Sequence, residues 1–420
     1  MLKKIIIIHN SVLNFINYYI CEIFTRSKKQ IAKRSQLVYP IVKEDINMLK
    51  NIKLKNFATF VEPTTIDFSA TNYKFLESEN VGSNRILKGC IFVGENASGK
   101  TKILEAIKLL LNLTLYDGKV NFAKYKSFYS KSNSYELEYT FMIENNEIIY
   151  NMVISTQKIE EEKLFLNGKN ILTRLGSNAK FSLDEEIKFT DVSEDILFLR
   201  RIYFNTKFND NKILNNWFDY LKNSVYINCD SKRIASYDNR SLLVHNCIDE
   251  KLAKEINEFF KKINYPNKIS FVKNSNDNSE YKNLIFFQKN GTNVNISDTY
   301  ESLGNQTLIE ILPAFMHAIK NRGMLIVDEF SSGLHNELEE CLIKYFFHYA
   351  KDSQLFLITH STNVLNTTII RPDQVYSLYF DKTTKIKRFS DEMPRESQNL
   401  EKMYLSGVFD GMPKYNKWLR

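Results

Sequence analysis

The chain has 420 residues, 43% of them hydrophobic and 25% charged, so it is long enough for two or three domains with a large buried core. The net charge of +8 comes from basic residues spread along the chain, which permits contact with nucleic acid without indicating it. The five cysteines show neither paired nor metal-ligand spacing, which fits free thiols in a reducing, cytoplasmic setting rather than a disulfide framework.

Residues 1–47 differ from the rest of the chain. Residues 5–24 are mostly apolar with basic residues on both sides, a pattern typical of a membrane helix or signal anchor. Five polar residues inside that stretch make insertion costly, so no membrane association is expected.

A third interpretation is that residues 1–47 are a translated leader and that the natural protein starts at Met48. Lys43-Glu44-Asp45 can be encoded by a purine-rich sequence that resembles a ribosome-binding site before Met48, and N-terminal sequencing of the native protein tests this.

From Met48 the hydrophobic pattern becomes regular. Alternating apolar residues over 52–57 and 66–68 predict two strands of a hairpin. A further apolar run at 90–93 predicts a buried strand, and the spacing of apolar residues over 103–110 predicts a helix.

A glycine-bounded loop connects that strand to that helix. Its residues are Gly94, Glu95, Asn96, Ala97, Ser98, Gly99, Lys100 and Thr101. A strand, such a loop, Lys-Thr and a helix form the phosphate-binding loop of P-loop NTPases, in which backbone N–H groups and the helix N-terminus face phosphate oxygens. Lys100 would reach the β- and γ-phosphates, and the Thr101 hydroxyl would ligate Mg²⁺. A chance match in a surface loop is disfavoured because the strand and the helix are both present.

Residues 116–200 carry strand patterns. Residues 135–141 and 148–154 alternate with period two around the turn signal Asn145-Asn146, and 164–172 predict a second hairpin around Asn167-Gly168. We interpret this part as a β-rich insertion or lid on the NTPase core. Beyond it, helices are predicted over 212–222, 252–263 and 302–319, with a hairpin over 284–296.

The apolar run 324–327 ends in two carboxylates, Asp328 and Glu329. A buried parallel strand would place Asp328 at its carboxyl edge beside the phosphate loop, where it can hold Mg²⁺ through water. Glu329 can then polarise the attacking water as general base. An apolar strand ending in Asp-Glu is a weak signal alone and a strong one after a phosphate loop.

A second buried strand, 355–359, ends at His360. The order of phosphate loop, Ser302-x-Gly304, Asp328-Glu329 and His360 resembles that of ABC-type ATPases. The resemblance implies that Ser302 and Gly304 of one protomer start a helix that contacts the γ-phosphate bound by a second protomer. It also implies that His360 of the second protomer contacts that phosphate. Ser302 can also be an ordinary helix cap, which is the alternative interpretation. A site shared in this way makes ATP-dependent pairing the expected behaviour.

The chain also resembles, over 48–114 and 197–420, bacterial ABC/SMC-like AAA-family ATPases of the overcoming-lysogenization-defect type. The resemblance rests on separate motifs: Glu301-Ser302-Leu303-Gly304, Leu312-Pro313-Ala314, Val327-Asp328-Glu329, Leu334-His335, Thr359–Asn363, Arg371–Val375, Asn399–Lys402, Tyr404–Gly407 and Pro413. It implies an ATP- and Mg²⁺-dependent homodimer or higher homo-oligomer that switches a separate toxin or nuclease effector. The expected fold is α/β, a P-loop NTPase of ABC/SMC-like type with a β-rich insertion and helical elements.

The resulting division of the chain is an extension (1–47), the N-terminal part of the ATPase core (48–115), the β-rich insertion (116–200) and a helical segment with the C-terminal part of the core (201–420). Asn305-Gln306 departs from the Thr-Lys or Thr-Arg often seen after Ser-x-Gly in the family, and no Mg²⁺-sensing Gln stands out in 115–200.

The sequence is compatible with three functions: an ATPase switch in phage defence, a DNA repair ATPase that clamps DNA, and a nucleotide-binding regulator with little turnover. The presence of Glu329 argues against the third.

Overall fold

The computed structural model describes residues 47–183, 185–237, 248–273 and 283–412. The predictions for 1–46, for most of the loop 273–282 and for Pro413 therefore lie outside the described residues. The described residues belong to one compact unit. Within the described ranges, no helix is long and apolar enough to cross a bilayer.

The helices of the described residues are α1 (Glu77–Asn80), α2 (Lys100–Leu115), α3 (Phe198–Thr206), α4 (Lys212–Lys222), α5 (Glu250–Lys262), α6 (Leu303–Asn321), α7 (Asn336–Tyr349) and α8 (Leu400–Leu405). The strands are β1 (Asn47–Lys55), β2 (Thr64–Asp67), β3 (Gly89–Gly94), β4 (Ser134–Ile143), β5 (Asn146–Ser155), β6 (Ile159–Leu166), β7 (Lys169–Leu175), β8 (Asn178–Ser182), β9 (Glu186–Phe189), β10 (Val225–Asn228), β11 (Arg233–Ser236), β12 (Asn267–Lys273), β13 (Asn283–Lys289), β14 (Asn295–Ser297), β15 (Met324–Asp328), β16 (Gln354–Ile358), β17 (Val375–Asp381) and β18 (Thr383–Arg388).

The central sheet carries the predicted motifs. Its strand order is β11-β10-β15-β16-β3-β17-β18. The five inner strands are parallel, and the two edge strands pair antiparallel to their neighbours. Both faces are covered, which explains why β15 and β16 read as continuous apolar runs rather than alternating ones.

Alternate residues of the inner strands pack into two hydrophobic cores, one on each face of the central sheet. On β15, Met324 and Ile326 pack on the side of α2, whereas Leu325 and Val327 pack on the side of α5, α6 and α7. All four side chains are fully buried. This alternation follows from the twofold period of a strand, so the sheet is the middle layer of a three-layer α/β arrangement.

The strands predicted as an insertion or lid form no separate sheet. β4 pairs antiparallel with β1 through residues 136–143, and β5 to β9 extend the same sheet in the order β2-β1-β4-β5-β6-β7-β8-β9. Tyr139 on β4 is fully buried and its hydroxyl donates to the Ala106 carbonyl of α2 at 2.7 Å. The eight strands therefore form a continuous layer that packs on the phosphate-loop helix and is part of the core.

Gln354, the first residue of β16, ties this antiparallel sheet to the central sheet. Its Oε1 accepts hydrogen bonds from Leu49 N at 2.7 Å and from the Tyr220 hydroxyl at 2.6 Å. Its Nε2 donates to the carbonyls of Leu49 and Leu87, both at 3.0 Å. The side chain is completely buried, so these four hydrogen bonds satisfy its amide without water.

We predict that Gln354→Leu lowers the free energy of unfolding by about 3 kcal/mol, because buried backbone groups of two layers lose their partners. Chemical denaturation followed by circular dichroism measures the change. Gln157→Leu is the matched control, since Gln157 is exposed and its replacement should change stability by less than about 0.5 kcal/mol. Equal stability of the two variants would contradict the coupling role of Gln354.

Candidate functional site

The loop from Gly94 to Thr101 leaves the carboxyl end of β3 and enters α2. Its backbone takes left-handed conformations at Ala97 (φ 60°) and Gly99 (φ 102°). A Cβ on Gly99 would lie 2.6 Å from Thr384 Oγ1 and 2.7 Å from Thr59 Oγ1. Glycine is therefore needed at position 99 for both conformation and space, which explains the local sequence.

Lys100, the first residue of α2, lies over this loop. Its Nζ donates to the carbonyls of Gly94 at 2.9 Å and Glu95 at 2.8 Å. An ammonium group has three N–H donors, so one remains for a ligand. Burial lowers the pKa of Lys100, while the nearby carboxylates of Glu329, Asp328 and Glu95 act in the opposite direction.

Asp328 ends β15 almost fully buried. Its Oδ1 lies 3.4 Å from Thr101 Oγ1, and its Oδ2 accepts from the Tyr226 hydroxyl and from Asn228 Nδ2, both at 3.3 Å. Burial raises the pKa of Asp328, and the neighbouring Glu329 adds to the rise. A carboxylate beside a hydroxyl is the hard oxygen donor set that suits Mg²⁺, and the cation would favour the ionised form of Asp328.

Glu329 follows with a left-handed backbone (φ 57°), an unusual conformation for a non-glycine residue and one typical of functional turns. Its Oε2 lies 3.3 Å from His360 Nε2, and the two side chains are 35% and 43% exposed. The backbone N–H of His360 donates to Ser331 Oγ at 3.3 Å. This hydrogen bond connects the loop that follows β15 to the loop that follows β16. The strand ends thus place a carboxylate and an imidazole side by side.

A cleft of about 650 Å³ lies at these strand ends, and Gly94, Glu95 and Asp328 are not among the residues that line it. The predicted residues Asn96 to Thr101, Glu329 and His360 line it together with Thr59 and Tyr129, which the sequence did not single out. The buried Ser98 hydroxyl has no hydrogen-bond partner among the described residues. A phosphate oxygen would supply one, so the loop fits a phosphate ligand.

The structure places Ser302 and Gly304 in a different cavity. Ser302 caps α6, its Oγ accepting from Asn305 N at 3.3 Å. Both residues line a cavity of about 530 Å³ together with Tyr265 and His335. They do not line the phosphate-loop cleft of the same chain, so within one chain the predicted site residues form two separate groups.

The departure at Asn305-Gln306 has a structural reason. The Asn305 side chain accepts from the Tyr265 hydroxyl and donates to Glu301 Oε2 at 2.6 Å. Gln306 Nε2 donates to the Asp298 carbonyl at 3.1 Å and to the Glu301 carbonyl at 3.2 Å. Both amides thus fix the segment that leads into Ser302.

Several supporting residues were missed. Tyr226 and Asn228, which hold Asp328, lie on β10, and a polar residue directly after the apolar run 225–227 is the signal that could have found Asn228. Thr59, Tyr129 and Thr384 carried no comparable signal, because only the folded chain brings their segments to the phosphate loop.

Solved structures of SMC head domains resemble this chain in fold. An SmcHead bound to the C-winged helix domain of ScpA shares 14% identity over 82% of this chain and 99% of that one, with a TM-score of 0.51. The SMC head domain from Thermotoga maritima shares 16% identity over 81% and 98% of the two chains, with a TM-score of 0.46. The Smc head domain with an extended coiled coil bound to the C-terminal domain of ScpA derived from Pyrococcus furiosus shares 12% identity over 83% and 98%, with a TM-score of 0.45.

At these identities the likeness concerns the fold alone, and it confirms the predicted ABC/SMC-like P-loop NTPase fold. None of the curated proteins matches the chain. One family model matches residues 91–366, which span more than half of the sequence and include the phosphate loop, Asp328-Glu329 and His360. The chain therefore belongs to the family described as AAA domain, putative AbiEii toxin, Type IV TA system.

Proposed function

We propose that the protein binds and hydrolyses ATP with Mg²⁺ and that hydrolysis takes place in the phosphate-loop cleft. The observation that carries this proposal is that three strand ends meet: the phosphate loop after β3, Glu329 after β15 and His360 after β16 line one cleft. Asp328, the last residue of β15, lies beside Thr101 of the phosphate loop. Parallel strands present their carboxyl ends at one edge, which is where ligands of open α/β sheets bind.

Each residue then has a defined part. Loop N–H groups and the free N–H of Lys100 hold the β- and γ-phosphates. Thr101 and Asp328 would hold Mg²⁺, which neutralises phosphate charge when bound. Glu329 accepts a proton from the attacking water, and its contact with His360 keeps the carboxylate directed into the cleft. His360 donates to a γ-phosphate oxygen.

Glu329→Gln is expected to retain ATP binding and to lower steady-state turnover by about 100-fold or more, because only the proton acceptor is lost. Lys100→Ala is expected to weaken binding itself. Phosphate release and equilibrium binding of radiolabelled ATP separate the two effects. Undiminished turnover of Glu329→Gln would refute the role of that residue as base.

A second element of the proposal is that ATP joins two copies of the chain. Ser302 and Gly304 begin a helix at the surface, away from the chain's own phosphate loop. An uncovered helix N-terminus with a serine hydroxyl and no Cβ at the third position is suited to a phosphate approaching from outside. The nearby Leu303 and Tyr300 are exposed apolar side chains that a second copy would cover.

We expect Ser302→Asp to abolish ATP-dependent assembly of the Glu329→Gln protein, because the carboxylate keeps the helix cap but repels phosphate. Ser302→Asn is the matched control, since it also caps the helix and carries no charge. Light scattering with and without ATP measures assembly, and nucleotide binding to the monomer should persist in both variants. Equal ATP-dependent assembly of the Asp and Asn variants would contradict the proposal that two copies of the chain share the ATP site.

For the biological role, we propose an ATP-driven switch that controls a separate toxin or nuclease in phage defence. The support is the family description, which names a toxin of a toxin–antitoxin system, together with the predicted likeness to the overcoming-lysogenization-defect type. The wild type, expressed with its neighbouring genes, should reduce phage plaquing, whereas Lys100→Ala should not. Equal plaquing on the two strains would contradict this role.

A DNA-clamping ATPase is the second candidate. The net charge of +8 is compatible with contact to a polyanion. ATP-dependent binding of duplex DNA that weakens steeply with salt would support this candidate over the phage-defence switch.

A further inference from the structure

Three chain segments meet at one side of the phosphate loop. The turn after β1 and the segment before β4 are joined by hydrogen bonds from Ala58 N to the Tyr125 carbonyl at 2.7 Å and from Ser127 N to the Asn56 carbonyl at 3.0 Å. The β17–β18 hairpin joins them through Thr384 N on β18, which donates to the Thr59 carbonyl at 3.1 Å. These contacts fix the wall of the cleft that lies towards β17.

The same segments are also bonded to the phosphate loop itself. Thr384 Oγ1 donates to the Ser98 carbonyl at 2.9 Å. Phe380 N donates to Glu95 Oε1 at 3.1 Å. The position of this wall relative to the loop is therefore set by direct hydrogen bonds.

An exposed aromatic side chain stands on this wall. Tyr129 lines the cleft although its side chain is 55% exposed. Its ring packs against Phe380 with the centroids 5.3 Å apart and the planes tilted by 55°. Its backbone N–H donates to Ser127 Oγ at 3.3 Å. Exposed aromatic surface held in place by its neighbours is suited to stacking on a flat ligand.

We infer that Tyr129, supported by Phe380, is the platform on which the base of a purine nucleotide stacks. The inference rests on the proposed function, because it places the rest of the same nucleotide. β16, which leads to His360, and β17, which carries Phe380, flank β3 on opposite sides. The Glu329–His360 pair therefore lies at one end of the cleft and Tyr129 at the other, as the γ-phosphate and the base lie at opposite ends of a nucleotide.

A purely structural role for Tyr129 leads to a different expectation. If the Tyr129–Phe380 contact only held the loop, its loss would weaken the binding of any phosphate ligand to the same degree. A stacking platform instead affects ligands with a base and leaves base-free ligands unchanged. Ligands that share one diphosphate group and differ only in the base distinguish these cases.

The test measures the dissociation constants of ADP, CDP and inorganic pyrophosphate for the full chain by calorimetry with Mg²⁺, none of which requires turnover. The wild type should bind ADP more tightly than CDP and pyrophosphate. Tyr129→Ala should weaken ADP binding by about 5- to 150-fold, the usual range for a lost base–aromatic stack. Its pyrophosphate affinity should stay within about twofold, which also shows that the loop is intact.

Two further variants complete the design. Tyr129→Phe keeps the ring and should bind ADP like the wild type, and Phe128→Ala removes the neighbouring ring, which is 90% exposed, as the matched control. Unchanged ADP binding by Tyr129→Ala, an equal loss for all three ligands, or a wild type that binds ADP no better than pyrophosphate would overturn the inference and leave the phosphate site standing. A wild type that binds none of the three ligands would remove the proposed function as well.

Discussion

The parallel register of β15, β16 and β3 is the constraint on which the site depends. Ile326 pairs with Phe356, and Phe356 pairs with Cys90, so the three strands reach the same edge together. Both faces of these strands are buried, so charged groups are tolerated only where the strands end. The register thus determines that the phosphate loop, the carboxylates and the imidazole emerge side by side.

The parts of the site that depend only on residues close together in the chain could be predicted from the sequence. The phosphate loop needs glycine where the backbone turns left-handed, and its strand and helix have their own periodicities. The apolar runs before Asp328 and His360 predicted β15 and β16 because buried parallel strands leave that pattern. The fold class followed from these motifs and is confirmed by the structural likeness to an SMC head.

The parts that depend on distant pairing could not be predicted in the same way. Strand periodicity indicated β4 to β7 but not their partner, and only the pairing of β4 with β1 shows that these strands share a sheet with the N-terminal hairpin. Likewise, Tyr129 and Phe380 are unremarkable in sequence and gain their place from segments that converge on the phosphate loop. The alternation of residues shows which side chains of a strand share a face, whereas the strands with which it pairs depend on the tertiary fold.

Gly304 and Gly333 belong to different segments, yet neither has room for a side chain of its own. A Cβ on Gly304 would lie 2.8 Å from the Gly333 carbonyl oxygen. A Cβ on Gly333, where φ is +82°, would lie 3.1 Å from Leu303 Cγ and 3.2 Å from Thr307 Oγ1. The start of α6 and the turn after Glu329 are thus in direct contact, so both positions are expected to remain glycine among related chains.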